Sequence, residues 1–284
     1  VMIEHRLLAT RFRERLSSSK HVQIISQVNP KFLDVGATDV RVGLDDGTES
    51  TATLLVGADG GDSWVRNEGG FAVREKDYDQ IALVANFLCE RPHGQLARQW
   101  FVDHGVLAWL PLGEKTISIV WSVAAEQGHA LIELEPEAFC RALSARGENT
   151  LGEMTLVSPI SHFPLRSLRS DNIVKARVAL MGDAAHVIHP LAGQGLNLGV
   201  QDAQTLAQVL ASKAAPESLG DLAVLRRYER TRSEAIAAMH GVTDGLQWLF
   251  ASESGAIAAL RNSGLRVTDK SPWLKNMLVR HAMG

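Results

Sequence analysis

The feature that most constrains the fold is the stretch 177–202, which reads RVALMGDAAHVIHPLAGQGLNLGVQD. Residues 178–181 are a continuous apolar run, which indicates a strand buried on both faces. Gly182 and Asp183 end this run and place a carboxylate at the carboxyl end of the strand. Because open α/β sheets bind ligands at that end, the stretch predicts a ligand site.

A glycine-rich loop and a helix follow the strand. Pro190 has no amide proton, and Gly193 and Gly195 permit backbone angles that other residues avoid, so this segment is predicted to be a loop. Helical spacing begins at Leu196, and it predicts one apolar stripe, made of Leu196, Val200, Ala203, Ala207 and Leu210. The amides around residues 193–197 would then face a ligand together with the positive end of the helix dipole.

A second motif, GADGGDSWVR, occupies residues 57–66. An apolar strand over residues 53–56 leads Asp59 into a glycine turn, and Asp62 or Ser63 can cap a short helix. A tight turn with a capped helix explains this motif as well as a ligand site does. Its similarity to the Asp183 turn favours a ligand that faces both carboxylate-bearing turns.

Composition and charge exclude several classes of protein. The chain has 284 residues, 45% of them hydrophobic, and a net charge of −3, which gives no reason to expect nucleic acid as a partner. Cys89 and Cys140 lack metal-ligand spacing and suit a reducing compartment. No apolar run approaches the roughly 18 residues of a membrane span, and no signal peptide is evident. We therefore expect a cytoplasmic chain, and its start at Val1 in mid-pattern suggests N-terminal truncation.

The remaining pattern alternates between short strands and helices. An N-terminal meander is predicted from strands at residues 22–28, 31–35, 40–44 and 49–56, and an antiparallel sheet from strands at residues 81–89, 98–102, 106–110 and 116–122. Helices are predicted over residues 3–16 and 136–146 and beyond residue 210, with a strand over residues 154–164. Four aromatic residues of the sheet could line a substrate cavity, but the sheet core is favoured for each of them: Phe87, Trp100, Trp109 and Trp121.

Three sharper motifs are weighed and set aside. His186 and His189 form an HxxH pair, but no third ligand lies nearby, so no metal site is predicted. The glycines of residues 193–199 are spaced one residue too widely for the dinucleotide fingerprint. Without a GxSxG elbow, a hydrolase built on Ser63 is not favoured.

Together the two motifs resemble those of the flavin-dependent aromatic hydroxylases, which share the para-hydroxybenzoate hydroxylase fold. HPLAGQGLNLGVQD also resembles the signature of the ubiquinone-biosynthesis hydroxylases within that class. The resemblance implies an α+β / α/β architecture, with an FAD-binding lobe that lacks its N-terminal GxGxxG unit, an antiparallel β substrate lobe and a C-terminal helical region. The implied boundaries are 1–77 and 166–212 for the FAD-binding lobe, 78–165 for the substrate lobe and 213–284 for the C-terminal helices.

The resemblance also implies roles for particular residues. Asp183 should hydrogen-bond the ribityl chain of FAD, Asp59 should contact FAD and NAD(P)H, and Arg66 should support the Asp59 turn. The implied cofactor-binding set is Asp59, Gly60, Arg66, Gly182, Asp183, Pro190, Gly193, Gln194, Gly195, Leu196 and Asn197. No side chain is evident as a catalytic acid, base or nucleophile.

The implied function is an FAD-dependent monooxygenase that uses NAD(P)H and O2 to hydroxylate the ring of a polyprenylated phenol in ubiquinone biosynthesis. The alternatives are a reductase or halogenase on the same fold, and a non-catalytic fragment that binds a partner or lipid. Without the GxGxxG unit, the chain is expected to be inactive and largely free of flavin. A ubiquinone-biosynthesis complex, a peripheral contact with the inner membrane and a homo-oligomer stay open.

Overall fold

The computed structural model describes residues 5–102, 105–189, 195–251 and Ser271. These residues divide into two compact units. The first unit contains the chain up to Gln27 and Tyr78–Leu165, and the second contains Val28–Asp77 and the chain from Arg166 onward. Residues 190–194 of the predicted loop, and the helices predicted beyond Ala251 except for Ser271, lie outside the described residues.

In chain order the elements are α1 (His5–Ser17), β1 (Pro30–Val35), β2 (Val40–Leu44), β3 (Glu49–Ala52), β4 (Leu55–Gly57), α2 (Trp64–Glu68), β5 (Val73–Cys89), β6 (Arg98–Val102), β7 (Gly105–Pro111), β8 (Thr116–Ala124), α3 (Ala125–Ile132), α4 (Pro136–Arg146), β9 (Met154–Leu156), β10 (Ser161–Ser170), β11 (Val174–Lys175), β12 (Val178–Leu180), a 3₁₀ turn (Gly182–Ala184), β13 (His186–Val187), α5 (Gly195–Ala211) and α6 (Leu222–Ala251). No helix in the described part of the chain is both long enough and apolar enough to cross a bilayer.

The first unit is built on an antiparallel sheet, as predicted. Strand β8 lies between β5 and β7, β6 pairs with β7 at the end of this order, and β9 pairs with β5. Helix α4 covers one face, where its Phe139 stacks on Phe87 and meets Trp121 edge to face. Trp109 and Trp121 are each 1% exposed. These aromatic side chains therefore belong to the core, which confirms the favoured interpretation over a substrate cavity.

The second unit separates the predicted N-terminal meander into two sheets. Strands β1, β2 and β3 form an antiparallel meander. The single strand predicted over residues 49–56 is in fact two strands, because β4 leaves the meander and pairs in parallel with β12. The strand predicted over residues 22–28 is wrong, because the structure records no ladder partner for this segment.

Helices α5 and α6 pack against each other and against the β4–β12 sheet. The buried side chains of α5 are Leu198, Asp202 and Leu206. The stripe predicted from Leu196 and Val200 is wrong, because these residues are 56% and 52% exposed. The reason is that the polar side chain of Asp202 lies at the centre of the buried face, and a prediction from hydrophobic residues alone leaves a buried aspartate out.

Candidate functional site

The parallel pairing of β4 with β12 brings the two sequence motifs to one edge of a sheet. Gly57 lies opposite Leu180 in the ladder, and the Met181 N–H donates to the Gly57 carbonyl over 3.0 Å. Asp59 lies two residues after the end of β4, and Asp183 lies three residues after the end of β12. The structure therefore places both carboxylate-bearing turns on neighbouring strand ends, in the arrangement that open sheets use to bind ligands.

The Asp59 turn is held by its own side chains. The Asp59 carboxylate accepts hydrogen bonds from the Ser63 hydroxyl at 2.5 Å and from the Val65 N–H at 3.1 Å. Ser63 is the N-cap of α2, and its oxygen accepts from the Arg66 N–H at 3.0 Å. The predicted capping role of Ser63 is therefore confirmed, whereas the alternative cap, Asp62, instead pairs with Arg166.

Arg66 joins the two turns. Its side chain is 5% exposed, and Nη1 donates to the Ala184 carbonyl over 3.2 Å. Within the described part of the chain, Arg66 Nε is buried and has no hydrogen-bond partner. Burial, and after it the nearby Arg166, lowers the pKa of the guanidinium. A buried N–H donor without a partner is unusual and is expected where a ligand or water completes the site.

The Asp183 turn presents its carboxylate outward. Gly182 opens this turn with φ of +58°, a left-handed conformation that favours glycine. The Ala185 N–H closes the turn on the Gly182 carbonyl at 2.9 Å. Asp183 itself is exposed, and among the described residues its carboxylate accepts no recorded hydrogen bond. The carboxylate is therefore available to a ligand.

Helix α5 begins beside this turn. A Cβ built on Gly199 would lie 3.3 Å from the Gly182 Cα, so the turn and the helix backbone approach closely. Leu196 and Asn197 are exposed in the first turn of α5, and no atom of the described residues lies within 4 Å of a Cβ built on Gly195. As far as the structure describes it, the helix start therefore leaves space for a ligand. The remaining residues of the predicted set, Pro190, Gly193 and Gln194, lie outside the described residues.

A buried polar network beneath the Asp183 turn was not predicted from the sequence. Asp202 is 0% exposed, and its Oδ2 accepts from the Gly182 N–H at 2.9 Å and from His186 Nε2 at 2.6 Å. Its Oδ1 accepts from Arg232 Nε at 2.6 Å. The signal that could have revealed Asp202 is its spacing of four residues from both Leu198 and Leu206.

The network keeps Asp202 ionised. Burial by itself would raise the pKa of the Asp202 carboxyl, but the hydrogen bonds from His186, Arg232 and the Gly182 N–H outweigh burial and hold this pKa below its ordinary value. His186 donates from Nε2, since an ionised carboxylate offers only acceptors. His186 of the HxxH pair thus binds a carboxylate, and the described residues contain no cluster of three metal-binding side chains.

Carboxylate-bearing turns at neighbouring parallel strand ends, beside the start of a helix, place the chain in the class of α/β proteins that bind a ligand at the carboxyl ends of their strands. Within that class, the FAD binding domain family matches residues 16–242, and the chain belongs to this family. The cofactor is FAD. Its hydroxyl groups can donate to an exposed carboxylate such as Asp183, and the unpartnered Arg66 Nε can donate to an anionic or carbonyl oxygen, so the described residues fit this cofactor.

Three known proteins that are similar to this chain carry the name hydroxylase. The chain is 33% identical to ubiquinone hydroxylase UbiL of Rhodospirillum rubrum, over 100% of this chain and 66% of that protein. It is 31% identical to 3-demethoxyubiquinol 3-hydroxylase of Escherichia coli K12, over 82% of this chain and 60% of that protein. Among solved structures, the anhydrotetracycline hydroxylase OxyS of Streptomyces rimosus superposes with a TM-score of 0.71 at 25% identity, covering 98% of this chain and 55% of OxyS. The chain thus spans at most about two thirds of these relatives.

Proposed function

We propose that the protein is an FAD-dependent monooxygenase that hydroxylates the aromatic ring of a polyprenylated phenol or quinol in ubiquinone biosynthesis, using NAD(P)H and O2. The observation that carries this proposal is the pair of turns at the ends of β4 and β12, on a chain 33% identical to a ubiquinone hydroxylase. The ring substrate is suggested by the names of the two curated relatives.

The residues of this chain would bind and orient the cofactor. When bound, FAD supplies hydride acceptance from NAD(P)H and the activation of O2 for transfer to the ring. The Asp183 carboxylate would hold the sugar-like chain of FAD through hydroxyl groups that donate to it. The amides at the start of α5 would stabilise negative charge near the ring system, aided by the helix dipole. The exposed side chain of Leu196 would help to exclude water there.

We propose that the first unit binds the apolar substrate on the sheet face opposite α4. Side chains alternate between the two faces of a strand. Because Leu83 and Phe87 of β5 are in the core, Val84 points to the other face, where it lies opposite Val120 of β8 in the ladder. Val84 and Val120 are half-buried. The two valines form an apolar patch beside the polar pair Asn86 and Ser118, and a patch of this kind suits part of a polyprenyl chain.

The decisive experiment is an isotope-labelling assay on the full-length protein loaded with FAD. The protein would be incubated with NAD(P)H, a short-chain polyprenylated phenol and oxygen-18 gas, and the product would be analysed by mass spectrometry. A product heavier by one labelled oxygen atom is expected. A reduced or halogenated product without label would contradict the hydroxylase and favour another reaction on this fold.

A further inference from the structure

Asp202 touches the backbone of the turn that presents Asp183, although Asp202 itself is fully buried. Its Oδ2 accepts the Gly182 N–H at 2.9 Å, and the Gly182 carbonyl accepts the Ala185 N–H that closes the turn. The first peptide of the turn is therefore held at its N–H by a side chain of α5. Gly199, three residues earlier on the same helix face, packs against Gly182.

The Asp202 carboxylate accepts hydrogen bonds from two side chains of other elements. Arg232 of α6 donates from Nε to Oδ1 at 2.6 Å, and its Nη2 donates to the Leu198 carbonyl at 3.3 Å. His186 of β13 donates to Oδ2 at 2.6 Å, the same oxygen that holds the Gly182 N–H. Helix α6, strand β13 and the turn that begins at Gly182 thus all donate hydrogen bonds to the one carboxylate of Asp202.

The burial of a charged carboxylate at this position is not explained by stability, because buried ion pairs add little to the free energy of unfolding compared with well-packed apolar side chains. What an apolar replacement cannot supply is an acceptor for the Gly182 N–H. We propose that Asp202 is a positioning residue for FAD: by holding the Gly182–Ala184 turn, it sets where the Asp183 carboxylate meets the cofactor. This inference rests on the proposed function, since it assumes that Asp183 contacts FAD.

The test is a double-mutant cycle between Asp202→Asn and Asp183→Ala, read as the dissociation constant of FAD. The deflavinated full-length protein would be titrated with FAD, and binding would be followed by flavin fluorescence. Asparagine keeps one acceptor oxygen, which the charged Arg232 takes, so its NH2 group faces the Gly182 N–H. Asp202→Asn is therefore expected to weaken FAD binding by about tenfold, the scale of one lost charge-assisted hydrogen bond. In the Asp183→Ala background the same change should cost less than about twofold, because the carboxylate that it positions is gone.

The matched control is Tyr228→Phe. Tyr228 is buried in the same unit and donates from its hydroxyl to the Leu180 carbonyl at 2.9 Å, so the variant loses a buried hydrogen bond next to the turn without touching Gly182. It should lower the thermal midpoint and leave FAD affinity unchanged in both backgrounds. If Asp202→Asn does not fold, Asp202→Glu enters the same cycle, because it keeps a carboxylate for Arg232 and shifts that carboxylate by one methylene relative to the Gly182 N–H.

The possible outcomes separate the two proposals. Equal losses of FAD affinity for Asp202→Asn with and without Asp183 would overturn the positioning role and leave the flavin site intact. No loss for Asp202→Asn, or for Asp202→Glu in its place, would overturn it as well. An FAD affinity that Asp183→Ala does not change would instead count against the contact between Asp183 and FAD, on which the proposed site depends.

Discussion

At the residue scale, Asp59 and Asp183 differ in what their carboxylates already do. Asp59 accepts hydrogen bonds from Ser63 and Val65, whereas the Asp183 carboxylate accepts no recorded bond among the described residues. Asp59 therefore shapes its own turn in addition to any ligand contact. Asp183 contributes little to the fold. The conformation of its turn is set by the left-handed backbone of Gly182 and by the hydrogen bond from the Gly182 N–H to Asp202.

Asp183→Ala should weaken FAD binding without weakening the fold. The side chain is exposed, so we expect a thermal midpoint within about 1 °C of wild type and FAD affinity lower by about tenfold. Fluorescence titration and a thermal scan of the FAD-free protein would measure the two effects. Glu68→Ala, which removes an exposed carboxylate from α2 in the same unit, is the control and should change neither quantity.

Ser63→Ala should destabilise the second unit. Ser63 is 0% exposed, and its hydroxyl donates to Asp59 while accepting the Arg66 N–H, so its loss removes a helix cap and leaves a buried donor unpaired. The expected loss in the free energy of unfolding is about 1–2 kcal/mol by urea denaturation. Ser233→Ala, at an exposed position of α6, should cost less than about 0.5 kcal/mol. Equal losses for the two variants would mean that the cap is not significant.

At the scale of elements, the accuracy of sequence prediction depended on whether an element is defined by local pattern. Strand β2, strand β6 and helix α4 have the predicted bounds, because alternation defines β2, a run of aromatic and β-branched residues defines β6, and Pro136 at the first turn defines the start of the helix. The face of α5 could not be predicted in the same way. Its buried side was decided by partners that are distant in sequence, Arg232 and the Gly182 turn, and not by the helix's own apolar residues.

Gly199→Ala should separate helix stability from cofactor binding. Alanine favours a helix interior over glycine by about 1 kcal/mol, but its Cβ would lie 3.3 Å from the Gly182 Cα and would displace the Asp183 turn. We expect weaker FAD binding in fluorescence titration. The control is Gly241→Ala in α6, where no atom lies within 4 Å of the added Cβ. That variant should raise the thermal midpoint and leave FAD affinity unchanged, and a loss of affinity there would show that helix rigidity is the cause.

At the scale of the whole molecule, the long-range polar contacts were beyond reach of the sequence pattern. The Arg66–Ala184 hydrogen bond joins residues 118 positions apart, and the Arg232–Asp202 bond joins residues 30 positions apart. Arg66, Arg232 and Asp202 are of residue types that are usually exposed, so the sequence gives no sign of their burial. Only the parallel pairing of β4 with β12 brings Arg66 and Ala184 together. The location of two ligand-facing turns was predictable, whereas the network that holds them was not.

Stability of the whole molecule should fall in mild acid because of a buried histidine. Burial lowers the pKa of His189 from its ordinary 6.5 to about 4. Between these pH values the His189 side chain binds a proton in the unfolded chain but not in the folded chain. The contribution of this histidine to the free energy of unfolding is therefore fully present above pH 6.5 and is lost as the pH falls toward 4. The total loss is on the order of 3 kcal/mol. Urea unfolding from pH 7 to pH 4.5 would measure the slope. His189→Asn should flatten it and His21→Asn, at an exposed position, should not.

The parallel pair of β4 and β12 also has a consequence for synthesis of the chain. Strand β4 leaves the ribosome more than a hundred residues ahead of β12, as the 118-residue span of the Arg66 bond illustrates. Until β12 arrives, β4 presents an unpaired edge with exposed amides and carbonyls. Nascent chains halted in this interval would therefore carry the first turn but not its neighbour, and they are the forms most in need of protection by a chaperone.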